Sequence, residues 1–336
     1  MEFLKKIFND ELNLDGVVSI IGSDFERHSI LQKMEEETYN LAFQDWKILR
    51  KQQMLDKADE LLSKYNNNAR FLTLKNIYKQ GNVIPFIGAG MSILSGYSGW
   101  TSFLYKLREE TYISEDELNA LISNGEYEEA AQKLFDNMPS NGFNEEIENE
   151  YANCKDIFGC VQYLPYIFKE KVITTNFDCV LERCYENADK VFKKVIIGKD
   201  TEDIARIMTI QNSLLVKLHG EADSATKRVL TKNEYNNFYT ASNTLKLCIE
   251  TITYNSLLFL GCSLSTDRTI KTMIEIADNK GHNNIPRHYV FLALNSEDDR
   301  VARKNELAKA NIFPIWYDAN EDHDECIEAL LIKLAD

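Results

Sequence analysis

The chain is 336 residues long, 44% hydrophobic and 27% charged, with a formal net charge of −15. That length fits one large or two ordinary domains, and the composition excludes wholesale disorder. So acidic a chain is a poor match for a nucleic-acid backbone, which calls for a basic stripe; solubility or a basic protein partner fits better. The seven cysteines are irregularly spaced and include no Cys-x-x-Cys pair, so no metal site is expected. Free thiols in a reducing compartment are the default for such a set. The opening MEFLKKIFNDELNLDG scatters charge, and no apolar run reaches about 18 residues. Neither a secretory leader nor a membrane span is expected, and the expected location is the cytoplasm.

Residues 1–20 are amphipathic, with Phe3, Leu4, Ile7, Phe8 and Leu12 at near-helical spacing. Residues 23–64 read as one or two long helices, with Ser23 as a cap and Glu26 in capping-box position. Leu31, Met34, Tyr39, Leu41, Phe43, Trp46, Leu49, Met54, Leu55, Leu61 and Leu62 form a stripe too broad for a solvated helix. It must bury against its own domain or against a subunit or partner. The run Tyr65-Asn66-Asn67-Asn68 breaks the pattern. It suggests an N-terminal helical module over about 1–75, serving assembly, and a main domain over 76–336.

A short helix over 71–79 leads into Val83-Ile84-Pro85-Phe86-Ile87-Gly88-Ala89-Gly90-Met91-Ser92, a buried strand ending in Gly-x-Gly. Such a turn lets phosphates approach bare backbone, and its N–H groups form an anion-binding concavity. The bland alternative is a tight strand-to-helix turn. The full dinucleotide fingerprint is absent, since Ile93 stands at the third glycine position and the next glycine is Gly96. A loop with Tyr97 and Trp100 follows, then helices over 101–110, 115–123, 127–135, 143–152 and 157–168, a helical insertion over about 101–169.

Beyond it the pattern alternates. Strands are expected at 171–175, 190–197, 213–218, 228–231, 256–261, 288–294 and 312–317, with helices at 178–187, 201–210, 232–239, 243–254, 266–279, 298–310 and 323–334. This is an α/β pattern: a Rossmann-like parallel sheet with helices on both faces.

In such a sheet ligands sit beyond the carboxyl ends of strands. The polar residues there are Gly88 to Ser92, Thr174-Thr175-Asn176-Phe177-Asp178, His219-Gly220, Gly261-Cys262-Ser263-Leu264-Ser265-Thr266-Asp267 and Trp316-Tyr317-Asp318. Singly each has a structural reading: Asn176, Ser263 and Asp267 as helix caps, Asp178 as a first-turn acid, His219 as a core histidine. Together, four of these five strand ends carry small or polar groups on one edge of one sheet.

The ordered set FIGAGMS, TTNFD, LHG and GCS, spanning about 76–318, resembles the sirtuin-like NAD-consuming enzymes. Trp100, Val229-Leu230-Thr231 with Tyr235, and Asp267 give it the flavour of the bacterial sirtuin-like effectors of antiphage defence. Two features depart from the protein deacylases of the family. The paired Cys-x-x-Cys zinc module is missing, and Gly96-Tyr97-Ser98-Gly99-Trp100 lacks the acid and arginine of the deacylase loop. The resemblance implies NAD+ as substrate, with no metal, and cleavage of the nicotinamide–ribose bond through an oxocarbenium-like state. It implies catalytic roles for Asn176 (water and ribose), His219 (ribose hydroxyls, general base) and Asp178 (loop or carboxamide). Gly88, Ala89, Gly90, Met91, Ser92 and Thr175 would hold the cofactor's diphosphate side, Gly261, Ser263 and Asp267 the adenosine side, and Tyr317 would lie near the adenine. A deacylase or ADP-ribosyltransferase and a non-catalytic NAD or ADP-ribose sensor are the alternatives. The resemblance further implies pairing with a HerA-like ATPase, and the apolar stripe over 31–62 suggests a homo-oligomer; no direct nucleic-acid or membrane contact is expected.

Overall fold

The computed structural model describes every residue except Glu2, Thr201, Ser242, Asn243 and 265–267, together with the side chains of Thr240 and Ala241. The chain divides into two units, Met1–Glu60 with Glu328–Asp336, and Leu61–Ile327.

In the first unit, helix Phe3–Asn13 precedes a hairpin of β1 (Val17–Ile20) and β2 (Ser23–Glu26). The hairpin corrects the expected helix start. Ser23 and Glu26 are strand residues, because Ile21 and Gly22 take φ of 51° and 77° and turn the β-branched run Val17-Val18 back on itself. Helices Arg27–Met34 and Glu36–Ser63 follow. The apolar stripe of the long helix divides into two faces. Tyr39 and Phe43 bury against Phe8, with Trp46 beside them, while Leu41, Ile48 and Leu49 stay exposed. Trp46 Nε1 donates to Glu11 at 2.6 Å, and Tyr39 donates its hydroxyl to Asn9 at 2.8 Å. The Arg50 Nη2 fork reaches both oxygens of Glu328 at 3.0 and 2.9 Å, holding the Glu328–Asp336 segment within this unit.

The second unit is built on a seven-stranded parallel sheet. Its strands are β3 (Val83–Ile87), β4 (Lys171–Thr174), β5 (Lys194–Ile197), β6 (Leu214–Lys217), β7 (Ser256–Leu260), β8 (His288–Leu294) and β9 (Ile312–Asp318), in the order β5-β6-β4-β3-β7-β8-β9. The continuous apolar runs of β3 and β7 are buried along their whole length, as a sheet covered on both faces requires. All five residues of β3 pair with β7, but only Phe86 and Ile87 pair with β4. Pro85, with no N–H to give, sits where that second pairing stops. The edge strand β9 is covered by Asn67, fully buried, whose amide donates to the Trp316 carbonyl at 2.8 Å and accepts from the Trp316 N–H at 2.9 Å. The asparagine run thus supplies a strand-like partner to an exposed edge.

Between β3 and β4 lie helices Trp100–Arg108, Glu115–Ser123, Tyr127–Asp136 and Ser140–Tyr151, the expected insertion. Two expectations fail locally. Residues 157–168 form a 3-10 turn, Cys160–Tyr163, and one α-turn, Leu164–Ile167, because Gly159 takes φ of 85° and Pro165 interrupts the bonding. Residues 228–231 are not a strand. The Leu230 and Thr231 N–H groups donate to the Glu234 carboxylate at 2.9 and 2.8 Å, a capping box on helix Lys232–Asn236. No helix among the described residues is long and apolar enough to cross a membrane.

Candidate active site

The strand order reverses direction at β3 and β7. The chain runs outward from β3 through β4 to the edge strand β5, steps back to β6 between them, then crosses to β7 and leaves the other way through β8 and β9. Where neighbouring strand ends diverge in this way, a crevice opens beyond their carboxyl ends. A cavity of about 1540 Å³ occupies that place, above the roughly 300–1,000 Å³ usual for drug-sized ligands.

Its floor is two glycine loops pressed together. The Gly88 N–H donates to Leu260 O and the Gly90 N–H to Gly261 O, both at 2.9 Å. A methyl group on Gly88 would stand 2.6 Å from Gly261 O, and one on Gly90 would stand 2.8 Å from Gly261 Cα. These missing side chains therefore serve first to let the β3 and β7 loops meet. The ligand-facing use of the same loop lies on its other side, where Gly88, Ala89, Gly90, Gly261 and Ser263 line the cavity.

Strands β4 and β6 bring the next two motifs together. Thr174 pairs with Lys217, and the Leu218 N–H donates to Thr174 O at 2.8 Å, so Asn176 and His219 each fall two residues past one paired rung. Thr175 and His219 line the cavity. Asn176, Asp178, Met91 and Ser92 are not on its wall but buried behind the first glycine loop. The Asn176 amide donates to Gly88 O at 3.1 Å and to Ser92 Oγ at 3.2 Å, tying the β4 exit to the β3 exit. Asp178 Oδ1 accepts from the Val180 N–H at 3.0 Å at the start of helix Val180–Asn187. Burial pushes this carboxyl above the usual range, against the Val180 and Ser92 hydrogen bonds and the Lys217 charge, which favour the anion. Lys217 reaches Asp178 O at 2.9 Å and Glu182 at 2.7 Å.

His219 is only 2% exposed and sits in a cage that the motifs did not announce. Its Nδ1 lies 3.2 Å from the Tyr235 hydroxyl, and its Nε2 lies 3.1 Å from the Tyr239 hydroxyl. Gly220 takes φ of 92°, and a methyl there would lie 1.9 Å from Lys227 O, so the chain after the histidine folds back where a side chain cannot follow. Arg268 lies with its guanidinium about 6 Å from both tyrosine rings and grips Glu128 of the insertion at 2.6 and 3.2 Å. Arg303 Nη2 donates to Ser263 O at 2.7 Å and bounds the β7 side of the cavity. Tyr239, Glu128, Arg268 and Arg303 belong to no short motif; only Tyr235, through the Val229-Leu230-Thr231 segment of the resemblance, marks this wall. Tyr317 also lines the cavity. Asp267 lies outside the described residues. Among the described residues, no group of three or more His, Cys, Asp or Glu is arranged to hold a metal ion.

A parallel sheet with helices on both faces, and a glycine-floored cleft at its switch point, define a Rossmann-like α/β protein. Within that class residues 170–315 match the family model described as SIR2-like domain. It is 22% identical over 236 residues to NAD(+) hydrolase ThsA of Bacillus cereus (strain MSX-D12), covering 67% of this chain and 48% of that protein. It is 24% identical over 252 residues to NAD(+) hydrolase ThsA of Enterococcus faecium, covering 70% and 50%. With Defense-associated sirtuin 2 of Bacillus subtilis it shares 26% over 193 residues, 55% of this chain and 18% of that protein. The chain spans about half the length of the two ThsA relatives.

Proposed function

We propose that this chain is an NAD+ hydrolase that splits the nicotinamide–ribose bond to give nicotinamide and ADP-ribose, and that it acts as an NAD-depleting effector in bacterial antiphage defence. The reading rests on His219, held by two tyrosine hydroxyls on the wall of a cavity floored by the β3 and β7 glycine loops. The relatives named NAD(+) hydrolase support it. In this reading the cavity takes the dinucleotide lengthwise, with its diphosphate over Gly88, Ala89 and Gly90 and its adenosine toward Gly261 and Ser263. The nicotinamide leaves as a neutral base from a cationic precursor, so no strong general acid is needed, and the demand falls on positioning. His219 contacts the ribose hydroxyls and accepts a proton. Asn176 works from behind the wall, through the Gly88 carbonyl and Ser92, with its carboxamide close to the ribose once the loop admits substrate. Asp178 keeps that loop in place.

The test is nicotinamide release from NAD+ by the purified chain and by Asn176→Ala and His219→Ala. Loss of a general base typically costs about 10²–10⁴ in rate, so His219→Ala should lose nearly all release; Asn176→Ala should lose it through misplacement of the ribose, and both variants should remain folded at the assay temperature although their unfolding midpoints fall. Full turnover by either would refute its role. An acyl-lysine peptide in a parallel reaction separates the hydrolase from a deacylase.

We also propose that the first unit is an assembly surface for a homo-oligomer, with a HerA-like ATPase as a candidate further partner. Its exposed Leu41, Ile48 and Leu49 support the assembly part. A reducing compartment, the cytoplasm, suits seven cysteines none of which is in a disulfide.

A further inference from the structure

Two thiols meet at the mouth of the β4 loop. Cys154 lies on the segment leaving the insertion, and Cys179 follows Asp178 directly. Their sulfurs are 3.1 Å apart, with neither bonded to the other. Cys154 is exposed and Cys179 half-buried. The approach is built rather than incidental. The buried Tyr97 hydroxyl donates to Asn153 O at 2.8 Å and accepts from the Lys155 N–H at 3.2 Å, gripping the residues on either side of Cys154. The same hydroxyl stands 3.8 Å from the Cys179 sulfur. Arg183, on the helix that Cys179 precedes, donates to Lys155 O at 2.6 Å. Three segments are thereby held in register around the pair: the loop after β3, the exit of the insertion and the exit of β4.

We propose that Cys154 and Cys179 form a reversible redox site, which hydrogen peroxide or an organic hydroperoxide oxidises to a disulfide that restrains the β4 loop and lowers NAD+ cleavage. The effect on cleavage rests on the function proposed above; the disulfide itself does not. Burial and the neighbouring Cys154 thiol push the Cys179 thiol up to about 11, so Cys179 is the poorer first nucleophile and exposed Cys154 reacts first. The Cys154 thiolate attacks one peroxide oxygen, the O–O bond breaks, and the departing hydroxide takes a proton to become water, leaving a sulfenic acid. The Cys179 sulfur then attacks the Cys154 sulfur, the S–O bond breaks, and the leaving hydroxide carries off the Cys179 proton as a second water. Two electrons pass from the sulfurs to the peroxide. Closure to a disulfide length of about 2.05 Å draws the sulfurs together by roughly 1 Å. That pull falls on a residue three positions after Asn176, whose amide joins the β3 and β4 exits.

The full chain is treated with hydrogen peroxide at pH 7.5, quenched with N-ethylmaleimide, and analysed by intact mass and peptide mapping. The expected result is loss of two alkylatable thiols, a Cys154–Cys179 cross-linked peptide pair, and full reversal by dithiothreitol. Cys154→Ser, an exposed and conservative change, should lose the cross-link; Cys179→Ala should lose it too and leave Cys154 to over-oxidise. Nicotinamide release by the wild type should fall at least fivefold on oxidation and recover on reduction, with Cys154→Ser unaffected. Seven thiols still alkylatable after treatment, or a cross-link between other cysteines, overturns the site. A cross-link with unchanged release overturns its link to activity. If neither redox state releases nicotinamide, the mass data still decide the site, and it is the proposed function that fails.

Discussion

At Gly261 the backbone takes φ of 65°, and a methyl group would stand 2.5 Å from the Met91 amide nitrogen. Both faults fall on one position, and the obstacle is backbone, which cannot step aside. Gly261→Ala should therefore destabilise the chain by roughly 1–3 kcal/mol, read as a lower thermal unfolding midpoint, and should part the β3 and β7 loops enough to abolish nicotinamide release. Gly142, in helix Ser140–Tyr151 with open space around its α-carbon, is the control: its alanine variant should unfold no earlier than the wild type and release nicotinamide at the wild-type rate. The glycines, Asn176 and His219 were all visible in the sequence as strand-end residues. Their division of labour was not. Asn176 spends its amide on Gly88 O and Ser92, and His219 on two tyrosines, because hydrogen-bond partners 84 and 88 or 16 and 20 residues away follow from the pairing of strands rather than from local spacing.

At the scale of elements, long periodic segments were read well and short ones poorly. β3, β4 and β6–β9 fall close to where alternation placed them. The segments 157–168 and 228–231 do not, since a φ of 85° at Gly159 and a carboxylate reaching back from Glu234 outweigh local propensity. Strand β8 carries a testable consequence. His288, at its first residue, is fully buried with its Nδ1 facing the Leu257 N–H at 3.2 Å. Burial holds the imidazole down from 6.5 to about 3. The unfolded chain takes up this proton as pH falls through about 6.5, while the folded chain refuses it until about 3. Stability from the neutral ring is thus complete above about 6.5 and drains away below it, by roughly 1 kcal/mol per unit. His323, also lowered by burial, adds in the same direction, and Asp178, raised by burial, opposes it. The comparison that isolates His288 is the unfolding midpoint at pH 7.5 and 5.5 for the wild type and His288→Gln. The variant should show the smaller drop.

The whole molecule consists of a parallel α/β unit and a smaller unit in which the N-terminal helices meet the last nine residues of the chain. In that smaller unit the long helix turns Tyr39 and Phe43 inward but leaves Leu41, Ile48 and Leu49 62–69% exposed. Leu41, Ile48 and Leu49 recur at i, i+7 and i+8, one face of a helix. Leu41→Glu with Leu49→Glu should convert an oligomer to a smaller species by size-exclusion chromatography with light scattering, without moving the unfolding midpoint of the α/β unit. A wild type that is already a strict monomer at working concentration would count against the assembly role.

The sequence alone determined the class of this protein, because alternating apolar runs with glycine and polar residues at their ends permit few arrangements other than a parallel sheet with a ligand edge. It also determined which side chains reach that edge. Only the tertiary structure decided which of them face the cavity and which brace it, and that Tyr239, Arg268 and Glu128 join them. Contacts across a sheet and between an insertion and its host depend on which strands lie side by side, and the order β5-β6-β4-β3-β7-β8-β9 is set by the packing of the whole core.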